Sequence, residues 1–229
     1  GAVVGYNPKK PGRPSHVYHT YSIANLRLVL GVEVQAGNQS SASHSAPDLW
    51  SLLDSIPRDR WPEFIRGDSA FGTNAVMQSA EERELPYLFK LRLTKNTKRL
   101  IERLMTKSGW SSAGQGWEGQ EARLQLDGWG GSRRVIVLRK PIPEEQEVAV
   151  VSKDCESRQL EFNFAEVNGK VQTYEYAVLV TSLPGEIITI AQHYRDRADS
   201  ENVFDELKNQ WGWGGFTTHD LKRCRLMAR

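Results

Sequence analysis

Phe64-Ile65-Arg66-Gly67-Asp68 reads as a short strand that runs into a turn, and the segments on its carboxyl side decide the fold class. A helix is expected over about 73–84 and a further strand over 87–93. This alternation of β and α segments points to an α/β sheet. Upstream, 17–23 and 26–34 are rich in β-branched and aromatic residues and suggest an antiparallel hairpin around Ala24-Asn25. A helix is expected next, with N-cap signals at 43–45 and a stop at Pro57. Before the hairpin, residues 5–14 hold three prolines and two glycines and read as a turn or extended arm bearing Lys9, Lys10 and Arg13.

Downstream, a helix over about 95–107 carries a positive face. From Lys90 to Lys107 there are seven basic residues against the single acid Glu102. The texture then changes. From 108 to about 182 the chain is punctuated by glycine and rich in strand signals, at 122–126, 133–139, 147–151, 160–167 and 172–181, which suggests an all-β insertion. A final helix is expected from 184–186 to about 209 with one or two breaks, and Trp211-Gly212-Trp213-Gly214-Gly215 then leads to a last amphipathic segment. The expected divisions are 1–107, 108–182 and 183–229.

The chain has 229 residues, 39% of them hydrophobic and 25% charged, with a formal net charge of +2. No apolar run approaches the ~20 residues a membrane span needs, so a membrane protein is excluded. Cys155 and Cys224 are the only cysteines and form no C-x-x-C pair, which argues against a disulfide framework or zinc site and for a reducing, cytoplasmic setting. The charge is unevenly spread. Residues 141–190 hold nine acids and three bases, so the remainder carries 27 bases against 19 acids, a net of +8. Such a basic body suits a polyanionic partner.

The stretch 194–208 carries the most chemistry. On one helix at about 100° per residue, Tyr194, Arg197, Glu201 and Lys208 share an arc of roughly 60°. A carboxylate beside a phenol, a guanidinium and an ammonium suits a phosphodiester in contact with a metal ion. The competing reading is a solvated face with an Arg197-Glu201 pair at i,i+4. Asp205 lies near the same arc, so helix geometry does not single out Glu201.

The spacing Tyr-x2-Arg-x3-Glu-x6-Lys at 194–208 resembles the Tyr-Arg-Glu-Lys signature of bacterial insertion-sequence transposases with a DDE triad. Three other stretches are similar to that family: Gly5 to Ser15, Arg66-Gly67-Asp68-Ser69-Ala70-Phe71, and Val180-Thr181-Ser182-Leu183-Pro184. The resemblance implies a ribonuclease-H-like mixed sheet flanked by helices, with Asp68 and Glu201 as the second and third metal ligands. The gap of 133 positions between them is longer than that fold needs, which agrees with a β insertion before the Glu helix. It also implies a first Asp on a strand just upstream of the Gly5 segment. Both ends therefore read as cut, and the fragment is expected to be inactive, because two Mg²⁺ ions need several carboxylates.

The function this implies is cut-and-paste DNA transposition, by metal-dependent hydrolysis and strand transfer at element ends. Mg²⁺ is the expected cofactor, with Mn²⁺ as substitute, in a two-metal site when the upstream Asp is present. Double-stranded DNA is the expected partner, as terminal inverted repeats and target, with a dimer in the synaptic complex. Tyr194, Arg197 and Lys208 would grip phosphates near the cleaved end. Lys9, Lys10, Arg13, Lys95, Lys98 and Arg99 could track the backbone or be solvated surface. Trp117 could stack on an extruded base, although core packing is the preferred reading for Trp110, Trp117 and Trp129 alike. His16 and His19 point to opposite faces of a strand and read as structural. The rivals are a related nuclease that does not join strands and an inactive relic that binds DNA.

Overall fold

The computed structural model describes residues 2–5, 11–39, 46–142, 162–167, 170–197, 202, 205–207, 209–210, 212 and 220–228. Its first elements are β1 (Val3–Val4), β2 (Pro14–Ile23), β3 (Leu28–Ala36), α1 (Ala46–Asp54), β4 (Ile65–Gly67), α2 (Asn74–Glu82), β5 (Tyr87–Lys90) and α3 (Lys95–Met105). They are followed by β6 (Ser111–Gly114), β7 (Trp117–Leu124), β8 (Arg133–Pro141), β9 (Phe162–Val167), β10 (Lys170–Thr181), α4 (Ile187–Arg195) and α5 (Leu221–Met227). The chain divides into two units, one of Gly1–Pro62 with Asp196–Arg229 and one of Glu63–Arg195.

In the unit Glu63–Arg195, β4 and β5 pair in parallel, with Ile65 opposite Tyr87 and Gly67 opposite Phe89. A parallel pair needs a crossover, and α2 supplies it. Thr73 caps α2 by accepting from the Val76 amide at 3.4 Å, and Val76, Met77 and Ala80 form its buried stripe. Tyr87, Leu88 and Phe89 are all buried, as a strand covered on both faces requires.

On the other side of β5, β10 runs antiparallel, with Leu179 opposite Lys90. Among the described residues the sheet has seven strands in the order β4-β5-β10-β8-β7-β6, with β9 on β10. It is thus a mixed sheet flanked by helices. The strands of the stretch read as an insertion extend the same sheet that carries β4. What changes after residue 108 is the connection type, from helical crossovers to antiparallel hairpins. The expected strand at 147–151 lies outside the described residues.

Period-two alternation assigns the two faces. Leu88, Ile136, Leu138 and Leu179 pack with Ile190 and Ala191 of α4, and Phe64, Trp117, Leu183, Ile187 and Tyr194 lie against that cluster. Each such side chain contributes about 1.5–3 kcal/mol of burial. A Cβ at Gly119 would stand 2.3 Å from Ile187 Cγ2, so the missing side chain in β7 is what admits α4. Val135 and Val137 alternate onto the other face of β8 and are fully buried.

In the other unit β2 and β3 form the expected hairpin, with Tyr18 opposite Val34 and an irregularity between Tyr21 and Ser22. Its connection is a 3-10 turn at Ala24–Leu26 closed by Arg27 at φ 50°, longer than the two residues expected. α5 packs Cys224 and Ala228 against Val34, its N-cap Asp220 accepts from the Arg223 amide at 3.0 Å, and Arg225 donates to the Val34 carbonyl at 3.0 Å.

Candidate functional site

Asp68 comes directly after β4, at the carboxyl end of the parallel strands, where open α/β sheets present their ligands. It is exposed, and its Oδ1 accepts from the Ala70 amide at 2.9 Å in an Asx turn. Two glycines seat that turn. A Cβ on Gly67 would lie 3.0 Å from the Phe71 ring, and one on Gly72 would lie 2.4 Å from the Lys90 carbonyl. The carboxylate is thereby fixed at the sheet end with one oxygen bound by the backbone.

Tyr194 sits half-buried in the last turn of α4, against the apolar cluster between that helix and the sheet. Arg66, the middle residue of β4, stands two positions before Asp68. Its guanidinium donates to the main-chain carbonyl of His193, while the His193 ring packs on Phe64 at 5.2 Å between centroids. The approach to α4 is held in a similar way. Arg134 of β8 donates to the carbonyls of Leu183 at 2.6 Å and Gly185 at 2.7 Å, and pairs with Glu121.

α4 ends at Arg195, and residues 196 and 197 are a turn. The helix described through Tyr194 therefore stops short of Arg197, and only the first two members of the arc expected for Tyr194, Arg197, Glu201 and Lys208 are among the described residues. The cause is local. Asp196 is a poor helix former, and Arg195 puts a cation at the carbonyl end of the last turn, where the dipole favours it. Arg197 is half-buried at the turn, while Glu201 and Lys208 lie outside the described residues. Asp205 is helical and exposed, and its Oδ1 accepts from Asn209 Nδ2 at 2.8 Å.

On α3 the residues Leu100, Ile101 and Leu104 are buried, leaving Lys95 and Arg99 exposed and Lys98 half-buried. Arg13 is exposed just before β2, and Lys9 and Lys10 lie outside the described residues. The tryptophans are engaged with protein. Trp117 lies on the core cluster, Arg139 stacks over Trp110 at 4.0 Å, and Arg133 over Trp129 at 4.9 Å. His16 Nδ1 stands 3.7 Å from the buried Cys224 Sγ, and His19 is buried in β2.

The strongest charge cluster lies apart from Asp68. Arg133 binds both oxygens of Glu81, at 2.7 and 2.8 Å, and also Asn74 at 2.9 Å, while the Tyr87 hydroxyl donates to Glu81 at 2.7 Å. These hydrogen bonds, Arg133's first, hold the Glu81 carboxyl below its ordinary pKa, and burial pushes the Tyr87 phenol up. A cleft of about 380 Å³ opens beside this cluster, and another of about 290 Å³ lies between α3 and β7. Asp68 lines neither.

Among the described residues no group of three or more His, Cys, Asp or Glu side chains could hold a metal ion. Asp68 alone offers a hard oxygen donor of the type Mg²⁺ and Mn²⁺ prefer, and so fits as one ligand of a site completed elsewhere.

The model of the family described as Transposase DDE domain group 1 matches residues 16–227. The chain belongs to this family of DDE transposases. No curated protein matches it. Membership carries nuclease and transposase chemistry on a DNA substrate, in a family that typically uses divalent metal ions, and the mixed sheet flanked by helices is consistent with a ribonuclease-H-like DDE domain. Among the described residues of this DDE domain, no helix is long and apolar enough to cross a membrane. Sequence reasoning passed over Arg66, Arg133 and Arg134. The available signal was a cation in a strand that packs against helices, which must find an acceptor when it is half-buried or buried.

Proposed function

We propose that this chain is the catalytic core of a cytoplasmic cut-and-paste DNA transposase that cleaves the ends of its own element and joins them to target DNA. What carries the reading is the family match over 16–227 together with Asp68 at the carboxyl end of β4. Asp68 and Glu201 would hold metal. Tyr194, Arg197 and Lys208 would bind phosphate oxygens next to the cleaved bond, Arg197 as a bidentate partner and Lys208 as a point charge. Mg²⁺ or Mn²⁺ held there would supply Lewis acidity for phosphoryl transfer to water or a 3′-hydroxyl. Two copies would act on a pair of ends.

Strand transfer decides between this reading and a nuclease on the same fold. Pre-cut element ends incubated with supercoiled target and Mg²⁺ should give joined products, and nicked target without joining would favour the nuclease.

Backbone tracking by the basic face of α3 has its own measure. If Lys95 and Arg99 each neutralise one phosphate, replacing both with Gln lowers the slope of log K against log salt by about 1.8, at roughly 0.9 per contact. An unchanged slope would make that face solvated surface.

A further inference from the structure

We propose that Arg66 is a positioning residue of the transposition reaction, holding the strand that delivers Asp68 in register with the turn of α4 that carries Tyr194. The inference rests on the roles proposed for Asp68 and Tyr194. Arg66 stands two residues before Asp68 in β4, and its acceptor, the His193 carbonyl, belongs to the residue before Tyr194. One contact therefore spans 127 residues of chain and meets both site segments within two positions.

Three features suit Arg66 to this role. The acceptor is a main-chain atom, so the bond fixes the helix backbone itself and not a rotatable side chain. The acceptor also lies in the last turn of α4, where unpaired carbonyls and the helix dipole favour a cation. Finally, the other approach to α4 is held by Arg134 on the Leu183 and Gly185 carbonyls, so two arginines from the sheet set where the helix lies. Only the Arg66 clamp adjoins groups placed at the reaction. Phe64 on the His193 ring adds an apolar contact at the same point. A shift of about 1 Å between a metal ligand and a phosphate-binding group can cost roughly 100-fold in rate.

The test uses the full-length transposase with Mg²⁺ and a duplex carrying an element end, and compares Arg66→Met, Arg66→Lys, Ile190→Val and Asp68→Asn for kcat, KM and Tm. Arg66→Met should lower kcat by about 10- to 100-fold with KM for DNA within about 2-fold, because the DNA-contacting residues remain. Arg66→Lys keeps the charge but not the planar fork, and should fall between it and the parent. Ile190→Val trims the buried face of α4, and should lower Tm with kcat unchanged. Parental kcat in Arg66→Met, or an equal kcat loss in Ile190→Val, would overturn the positioning role. Should Arg66→Met not fold, Arg66→Lys decides alone: a lowered kcat at constant KM supports the role and parental kcat defeats it. Asp68→Asn separates the two readings. Parental cleavage by it removes Asp68 from the metal site whatever Arg66 does, and its inactivity beside a fully active Arg66→Met defeats the Arg66 inference alone.

Discussion

Glu201→Ala should abolish cleavage of an element end while leaving DNA binding near the parental level. Loss of a group that merely orients a metal ligand costs about 10- to 100-fold, and loss of a ligand itself should exceed that. DNA affinity should persist because it comes from cations spread over the surface, each phosphate contact acting independently of the metal. The measurement is paired: a gel-shift titration at fixed salt and a single-turnover cleavage assay on the same duplex. Retained cleavage would move the assignment to Asp205, whose exposed carboxylate accepts from Asn209 through Oδ1.

Arg133→Met should cause the largest loss of stability among the polar contacts of the fold. Arg133 is 8% exposed, forks onto both oxygens of Glu81 and reaches Asn74. Breaking a buried pair costs about 3–5 kcal/mol when the stranded partner stays dry. The Glu81 side chain is 40% exposed and can turn to water, which brings the expected cost to about 2–3 kcal/mol and the Tm down by about 5–10 °C. The pair also sets a pH dependence. Arg133 holds the folded pKa of Glu81 below its unfolded value near 4.5, so its stabilisation is complete above that pH and is lost as acid carries the protein down through the folded pKa. Melts between pH 7 and pH 3 should therefore show an acid-side fall in Tm that is shallower in Arg133→Met. Parallel curves would detach Glu81 from the effect.

The parts of the fold that could be read from sequence are those set by local periodicity. The run from Phe64 to Lys90 gave strand, helix and strand because its apolar spacing switches between periods of two and 3.6 with Thr73 and Gly67 as punctuation. Which sheet the later strands join was less accessible. Glycine-rich hairpins look alike whether they form a separate body or add to an existing edge, and the pairing of β10 with β5 is a contact between residues about ninety positions apart. The site divides along the same line. The strand-to-turn signal placed Asp68 at a strand end, while its role as a ligand came only from the resemblance; Arg66 could be read as a strand cation in need of an acceptor, but the His193 carbonyl could not be named as that acceptor, since a backbone acceptor has no residue type. The one or two breaks expected between 184–186 and 209 have no address in the sequence, because propensity differences of a few tenths of a kcal/mol do not locate a stop.

The Arg66 to His193 contact has a bearing on synthesis. A ribosome adding about 5–20 residues per second needs roughly 6–25 s to make the 127 residues that part them. Throughout that interval β4 and β5 can pair, but nothing downstream exists to close the face that α4 later covers. The face that α4 covers thus stays open until nearly all of the Glu63–Arg195 unit has been translated, and the strand that leads to Asp68 waits through that interval for its helix.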